Sequence, residues 1–161
     1  MLAAVAPAAI LVRSATEASP VTHQTCKFDP VEKRFTTVGK PIEHTFAKIV
    51  DPSNGEELPE ETVGEIQVKG FHVMSGYYNN PEATEKNIKE GWLRTGDLGV
   101  RDSEGYYKIV GRLKEMIIVG GHNVYPAEVE QSLHTLLEKE VEQLQVVGVP
   151  HPVLQEVVGL V

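Results

Sequence analysis

From Gly111 to Glu130 the chain reads Gly-Arg-Leu-Lys-Glu-Met-Ile-Ile-Val-Gly-Gly-His-Asn-Val-Tyr-Pro-Ala-Glu-Val-Glu. A basic pair, a β-branched run, a glycine pair and a helix start follow one another with no spacer. Ile117, Ile118 and Val119 suit a pleated strand, so Met116 to Val119 reads as one. Gly120 and Gly121 supply the positive φ that a tight reversal needs. Pro126 fits the first turn of a helix, where its missing N–H would have no partner, and Glu128 and Glu130 complement the positive helix end. Val129, Leu133 and Leu136 or Leu137 continue at helical spacing, which predicts an amphipathic helix over Pro126–Leu137. Val141 to Val149 and Val157 to Val161 read as further strands.

Upstream the pattern is strand and turn. Thr45 to Val50 and Gly64 to Lys69 alternate, with Asp51-Pro52-Ser53-Asn54-Gly55 as turn chemistry between them. Pro81 to Glu90 reads as a helix capped by Asn79 or Asn80 and stopped at Gly91. Trp92 to Arg94 and Gly99 to Arg101 read as two short strands. Tyr106 to Val110 returns after the turn Asp102-Ser103-Glu104-Gly105. The fold class expected is α+β: a small β subdomain, then a mixed unit beginning at Arg112.

Bulk properties exclude some functions. A net charge of −8 opposes general nucleic-acid binding, which needs a basic face to displace counterions. Met1 to Val12 is uncharged but too short to span a bilayer, and no transmembrane segment is expected. It lacks the positive start of a secretory signal. Arg13, with no acid in the residues before Glu17, gives a faint mitochondrial-presequence character. The single Cys26 admits no internal disulfide and fits a reducing compartment, so an intracellular site is expected, mitochondrial or cytoplasmic. His23, His44, His72, His134 and His151 are scattered without metal spacing.

Several residues can carry chemistry. Asp97, in Arg94-Thr95-Gly96-Asp97-Leu98-Gly99, can accept hydrogen bonds from ribose hydroxyls if held rigidly beside its glycines. Arg112 offers a fork of donors suited to phosphate or ribose oxygens. Lys114 and Glu115 are equally compatible with a solvated turn. His122 reads best as a hydrogen-bonded loop residue, with catalysis the lesser alternative. Tyr77, Tyr78 and Trp92 read as packing for the β subdomain.

The Trp92–Gly99 run and the Gly111–Glu130 run together resemble the adenylate-forming enzymes, the superfamily of acyl-CoA synthetases, luciferases and peptide-synthetase adenylation domains. Thr16-Glu17-Ala18-Ser19-Pro20 resembles the end of a third motif of that family, with Arg13, Ser14 and Ala15 standing where the family has an aromatic, Gly and Met. Phe71 to Tyr78 and Tyr107 to Arg112 look most like fatty acyl-CoA synthetases, the medium-chain mitochondrial type in particular.

The resemblance implies roles. Thr16 would hold a phosphate and Glu17 the Mg²⁺ that bridges ATP phosphates. Asp97 would bind the ATP ribose and Arg112 the nucleotide, with Ile109 on the same strand counted with that site. Lys114 would be the hinge, and Gly120, Gly121 and His122 would lie along the pantetheine arm of coenzyme A. The substrates implied are ATP, coenzyme A and a fatty or other carboxylic acid.

On this reading residues 1–15 are a leader or a start placed inside a longer gene. Residues 16–111 end the large adenylation domain, and 112–161 are the hinge and part of the small one. The chain shows neither a Ser/Thr/Gly-rich loop with a lysine nor a late lysine motif. Little or no turnover is therefore expected from these residues alone. The alternatives are a non-enzymatic module that binds nucleotide or acyl-CoA, and part of a peptide-synthetase adenylation domain.

Overall fold

The computed structural model describes residues 11–137 and 144–161. The chain is sheet-rich α+β and divides into two compact units. The first runs through Thr95 and includes Gly99–Ile109. The second comprises Gly96–Leu98 and Val110–Val161.

In the first unit, β1 (Val12–Ser14), β2 (Val21–Gln24) and β3 (Lys40–Pro41) form a small antiparallel sheet. A 3-10 turn, Thr16–Ala18, links β1 to β2, and a short helix α1 (Val31–Thr36) precedes β3. The second sheet runs β4 (Thr45–Val50), β5 (Gly64–Gly70), β7 (Trp92–Arg101), β6 (Ile88–Lys89), with β8 (Tyr107–Arg112) also on β7. Its inward residues Ile49, Ile66, Val68, Leu93 and Tyr107, with Ala18, make the buried core. Removing this apolar area from water is the main favourable term. The Tyr107 hydroxyl is satisfied by donating to the Ala47 carbonyl at 2.9 Å.

The β4–β5 hairpin forms as expected. Its turn is fixed by Asp51 Oδ1, which accepts from Ser53 N at 2.8 Å, and by Gly55 at φ 80°. Helix α2 (Pro81–Asn87) is shorter than the expected Pro81–Glu90. Ile88 and Lys89 leave it to pair with Leu93 and Trp92. Glu90 (φ 52°) and Gly91 (φ 80°) are both left-handed, as a two-residue hairpin that matches strand twist requires. That hairpin, with Ile88 packed on the core, outcompetes the last helical turn. The strand after it is continuous from Trp92 to Arg101, not two pieces.

Asn80, not Asn79, caps α2: its side chain accepts from Ala83 N at 3.0 Å. Asn80→Ala should cost about 1 kcal/mol, read as a lower urea midpoint with an unchanged slope.

The second unit holds β9 (Ile117–Val119), β10 (His122–Val124), helix α3 (Pro126–Leu137), β11 (Val146–His151) and β12 (Gln155–Leu160), in sheet order β10-β9-β12-β11. Residues 141–143 of the expected Val141–Val149 strand lie outside the described residues, and the rest begins at Val146. The strand β10 was not expected; it is the return arm of the Gly120-Gly121 reversal, with His122 opposite Val119. Val129 and Leu133 of α3 are half-buried, while Leu136 is 78% exposed and does not belong to the apolar face. Glu130 does more than complement the helix start: its Oε1 accepts from Val146 N at 2.8 Å and ties α3 to β11. Among the described residues no helix is long and apolar enough to cross a membrane.

Candidate functional site

In the second unit, Gly96 takes φ 70°, a conformation that favours glycine, and Asp97 follows at once. A Cβ on Gly96 would meet nothing within 4 Å, so the ground beside it is open. Leu113 N donates to the Gly96 carbonyl at 2.8 Å. That main-chain bond joins the residue before Asp97 to the residue after Arg112, so the pairing of the two side chains is set by backbone. Arg112 Nε lies 3.4 Å from Asp97 Oδ1. The two differ in exposure: Asp97 is 15% exposed and Arg112 is 68% exposed. A sheltered carboxylate with a solvated guanidinium beside it can accept from sugar hydroxyls while the fork faces an incoming anion.

Lys114 follows in an exposed turn closed by Glu115 N donating to Arg112 O at 3.0 Å. Its solvation makes no demand on the backbone angles, which suits a hinge. Gly120 and Gly121, at φ 56° and 87°, are exposed at the β9–β10 reversal. A Cβ at Gly121 would meet nothing within 4 Å and one at Gly120 only Leu154 Cδ2 at 3.3 Å. The glycines are thus required by conformation more than by crowding, and the turn lies open to a ligand. The reversal is held by β12 and the residue before it: Gly120 N donates to Leu154 O at 2.9 Å and Ile118 N to Glu156 Oε2 at 2.9 Å. His122 is exposed and begins β10.

In the first unit, Thr16 and Glu17 form the 3-10 turn before Ala18. Thr16 is exposed and Glu17 half-buried. Glu17 Oε1 accepts from the Tyr77 hydroxyl at 3.1 Å, and its carbonyl accepts from Met74 N at 2.8 Å. Burial first, and Glu17 second, raise the pKa of Tyr77. Ile109 is half-buried and packs on the core of this unit. Two contacts hold β7 up to Thr95. Arg94 engages the buried Glu65 through Nε at 2.9 Å and Nη2 at 2.8 Å, and the Thr95 hydroxyl donates to Ile66 O at 2.6 Å.

Tyr77 and Glu65 were not legible as site supports. A tyrosine in an aromatic group and a glutamate within an alternating strand have no sequence signature that names their partners.

The donor set bears on a metal. Among the described residues no three His, Cys, Asp or Glu side chains converge. Glu17 offers one carboxylate, of which Oε2 has no protein partner among the described residues. That fits Mg²⁺, which is commonly bound by one or two carboxylates plus substrate phosphates and water, and not an ion caged by protein alone.

Residues 14–78 match the model of the AMP-binding enzyme family. The chain is 43% identical over 141 residues to the mitochondrial medium-chain acyl-CoA ligase ACSF2 of Bos taurus, covering 87% of this chain and 23% of that protein. It is 42% identical over 149 residues to the acyl-CoA ligase sidI of Aspergillus fumigatus, covering 89% of this chain and 25% of that protein. The chain thus spans about a quarter of the length of the curated relatives it matches. Its fold matches ATP-bound MatB from Rhodopseudomonas palustris with a TM-score of 0.86 at 35% identity, over 94% of this chain and 29% of that one. Motif, identity and fold agree: the chain belongs to the AMP-binding, adenylate-forming enzymes, with acyl-CoA ligases among its relatives.

Proposed function

We propose that the chain supplies the ribose-binding acid, the hinge and the thiol-side loop of an acid–CoA ligase that forms AMP. Residues 16–111 would be the last part of the large adenylation domain, and 112–161 would carry the hinge, at Lys114, into the small domain. The observation that carries this reading is the Asp97–Arg112 pair, fixed by the Leu113–Gly96 bond beside an open left-handed glycine.

In the reaction, an oxygen of the substrate carboxylate bonds to the α-phosphorus of ATP and pyrophosphate leaves. The sulfur of coenzyme A, having lost its proton, then bonds to the acyl carbonyl carbon and AMP leaves. Asp97 would hold the ribose hydroxyls through both steps, and Arg112 would stand over the nucleotide. Thr16 would donate to a phosphate oxygen. Glu17 would hold Mg²⁺, whose charge neutralises the phosphate oxygens. Gly120 and Gly121 would let the backbone lie against the pantetheine arm, with His122 at the edge of that loop. The acid class is a fatty or other carboxylic acid, as the names of the acyl-CoA ligase relatives support. The mitochondrial label of ACSF2 supports an intracellular setting, where ATP and coenzyme A are at hand.

Thermal unfolding of the 161-residue chain with AMP tests the reading. Saturation at about 100 times Kd should stabilise it by about 2.7 kcal/mol. A melt that moves with neither AMP nor coenzyme A would overturn it.

A further inference from the structure

We infer that Tyr77 is a positioning residue that holds the Glu17 carboxylate in the orientation from which it meets a nucleotide-bound divalent cation. The inference rests on the reading of Glu17 given above. It goes beyond that reading because an aromatic first read as packing is given a task.

Glu17 is tied at both ends to one loop. Its carbonyl accepts from Met74 N at 2.8 Å, and its Oε1 accepts from the Tyr77 hydroxyl at 3.1 Å. The loop is in turn fixed to the start of α2. Tyr77 N donates to Thr84 Oγ1 at 2.9 Å, and the same hydroxyl donates to Asn80 O at 2.9 Å. Asn80 N donates to Tyr77 O at 3.2 Å. Gly76 sits at φ 156°, and a Cβ there would lie 2.7 Å from Thr84 Cγ2, so the loop closes on the helix. Tyr77 therefore has a fixed main chain from which to aim its phenol.

The chemistry of the donor matters. A free glutamate samples many rotamers, and ordering it on binding weakens affinity. A lysine or arginine in place of Tyr77 would also order it, but would neutralise the charge that a cation needs. A phenol is a neutral donor at physiological pH. It engages Oε1 and leaves the carboxylate charged, with Oε2 available to the metal.

The test uses Mn²⁺ as the probe ion, with Mn·ATP binding to the 161-residue chain read from the electron paramagnetic resonance of free Mn²⁺. Metal-free AMP binding, by calorimetry, is the control. Tyr77→Phe keeps the ring and should weaken Mn·ATP roughly 3- to 10-fold, the cost of ordering one long side chain. AMP affinity should stay within about twofold, since Asp97 and Arg112 are untouched. A purely structural role would lower both affinities together, or neither. If Tyr77→Phe loses the cooperative thermal melt of the wild type, Thr84→Val carries the test, since it frees the Tyr77 main chain and leaves the phenol.

Glu17→Gln separates the two levels. If it weakens Mn·ATP while Tyr77→Phe does not, the inference is overturned and the Glu17 reading stands. If Glu17→Gln binds Mn·ATP as the wild type does, the Glu17 reading falls and takes the inference with it.

Discussion

Asp97→Ala is expected to weaken AMP binding roughly 100-fold. A carboxylate accepting from two ribose hydroxyls makes charge-assisted hydrogen bonds, each contributing about 1.5–3 kcal/mol. A loss of about 3 kcal/mol corresponds to a little over two decades in Kd. The substitution also takes a partner from Arg112, but that guanidinium is 68% exposed and solvated, so the stability cost should be small. Asp97→Asn keeps the shape and one acceptor and should lose about tenfold. Calorimetry with 2′-deoxy-AMP completes a double-mutant cycle. The deoxy ligand should bind the wild type more weakly than AMP does, and bind Asp97→Ala about as AMP does. AMP binding to Asp97→Ala within twofold of wild type would remove Asp97 from the site.

What the sequence disclosed and what it hid follow from how local each signal is. The Gly120-Gly121 reversal was legible because φ above zero is a property of single residues, and the structure places both there. The start of α3 was legible because helix-end chemistry lies within one turn. The Asp97 carboxylate was picked out by its motif. Its closeness to Arg112 depends on the Leu113–Gly96 bond, which joins distant positions and leaves no pattern in either segment. Boundaries failed where two local preferences competed. Ile88 continues the spacing of α2, yet it pairs with Leu93 because the left-handed Glu90–Gly91 turn folds the chain back there. The β1–β2 hairpin was missed for another reason. Its buried residues include Arg13, Thr22 and His23, so no apolar alternation announces it. The resemblance led the reading to the Thr16–Pro20 motif between the two strands and told nothing about this polar interior.

That polar interior should make folding stability depend on pH. His23 is fully buried, its Nδ1 paired with Thr22 Oγ1 at 3.0 Å and its ring 4.6 Å from that of Tyr107. Arg13 is buried beside it, with Nη1 donating to the same Thr22 hydroxyl at 2.8 Å. Burial, and then the charge on Arg13, lower the His23 pKa from 6.5 to about 3. Its Nε2 has no hydrogen-bond partner among the described residues, so an added proton would be buried without an acceptor. Between the two values the unfolded chain binds a proton that the folded chain refuses. Stability is therefore intact above about pH 6.5, falls as pH drops below it, and stops falling through this group near pH 3. At pH 5, about 1.5 units below the unfolded value, the loss should be about 2 kcal/mol. Urea unfolding at pH 7.5 and 5.0 reads it directly. His23→Gln cannot take up the proton, so whatever it costs at pH 7.5, it should lose about 2 kcal/mol less than wild type on acidification. Asp51 is held below the usual carboxylate range by its hydrogen bonds from Ser53, and Asp102, against the opposing effect of its burial, by Lys33. Equal acid losses in the two chains would mean that the buried imidazole accepts its proton in place, and that the packing around Arg13 and Tyr107 admits water.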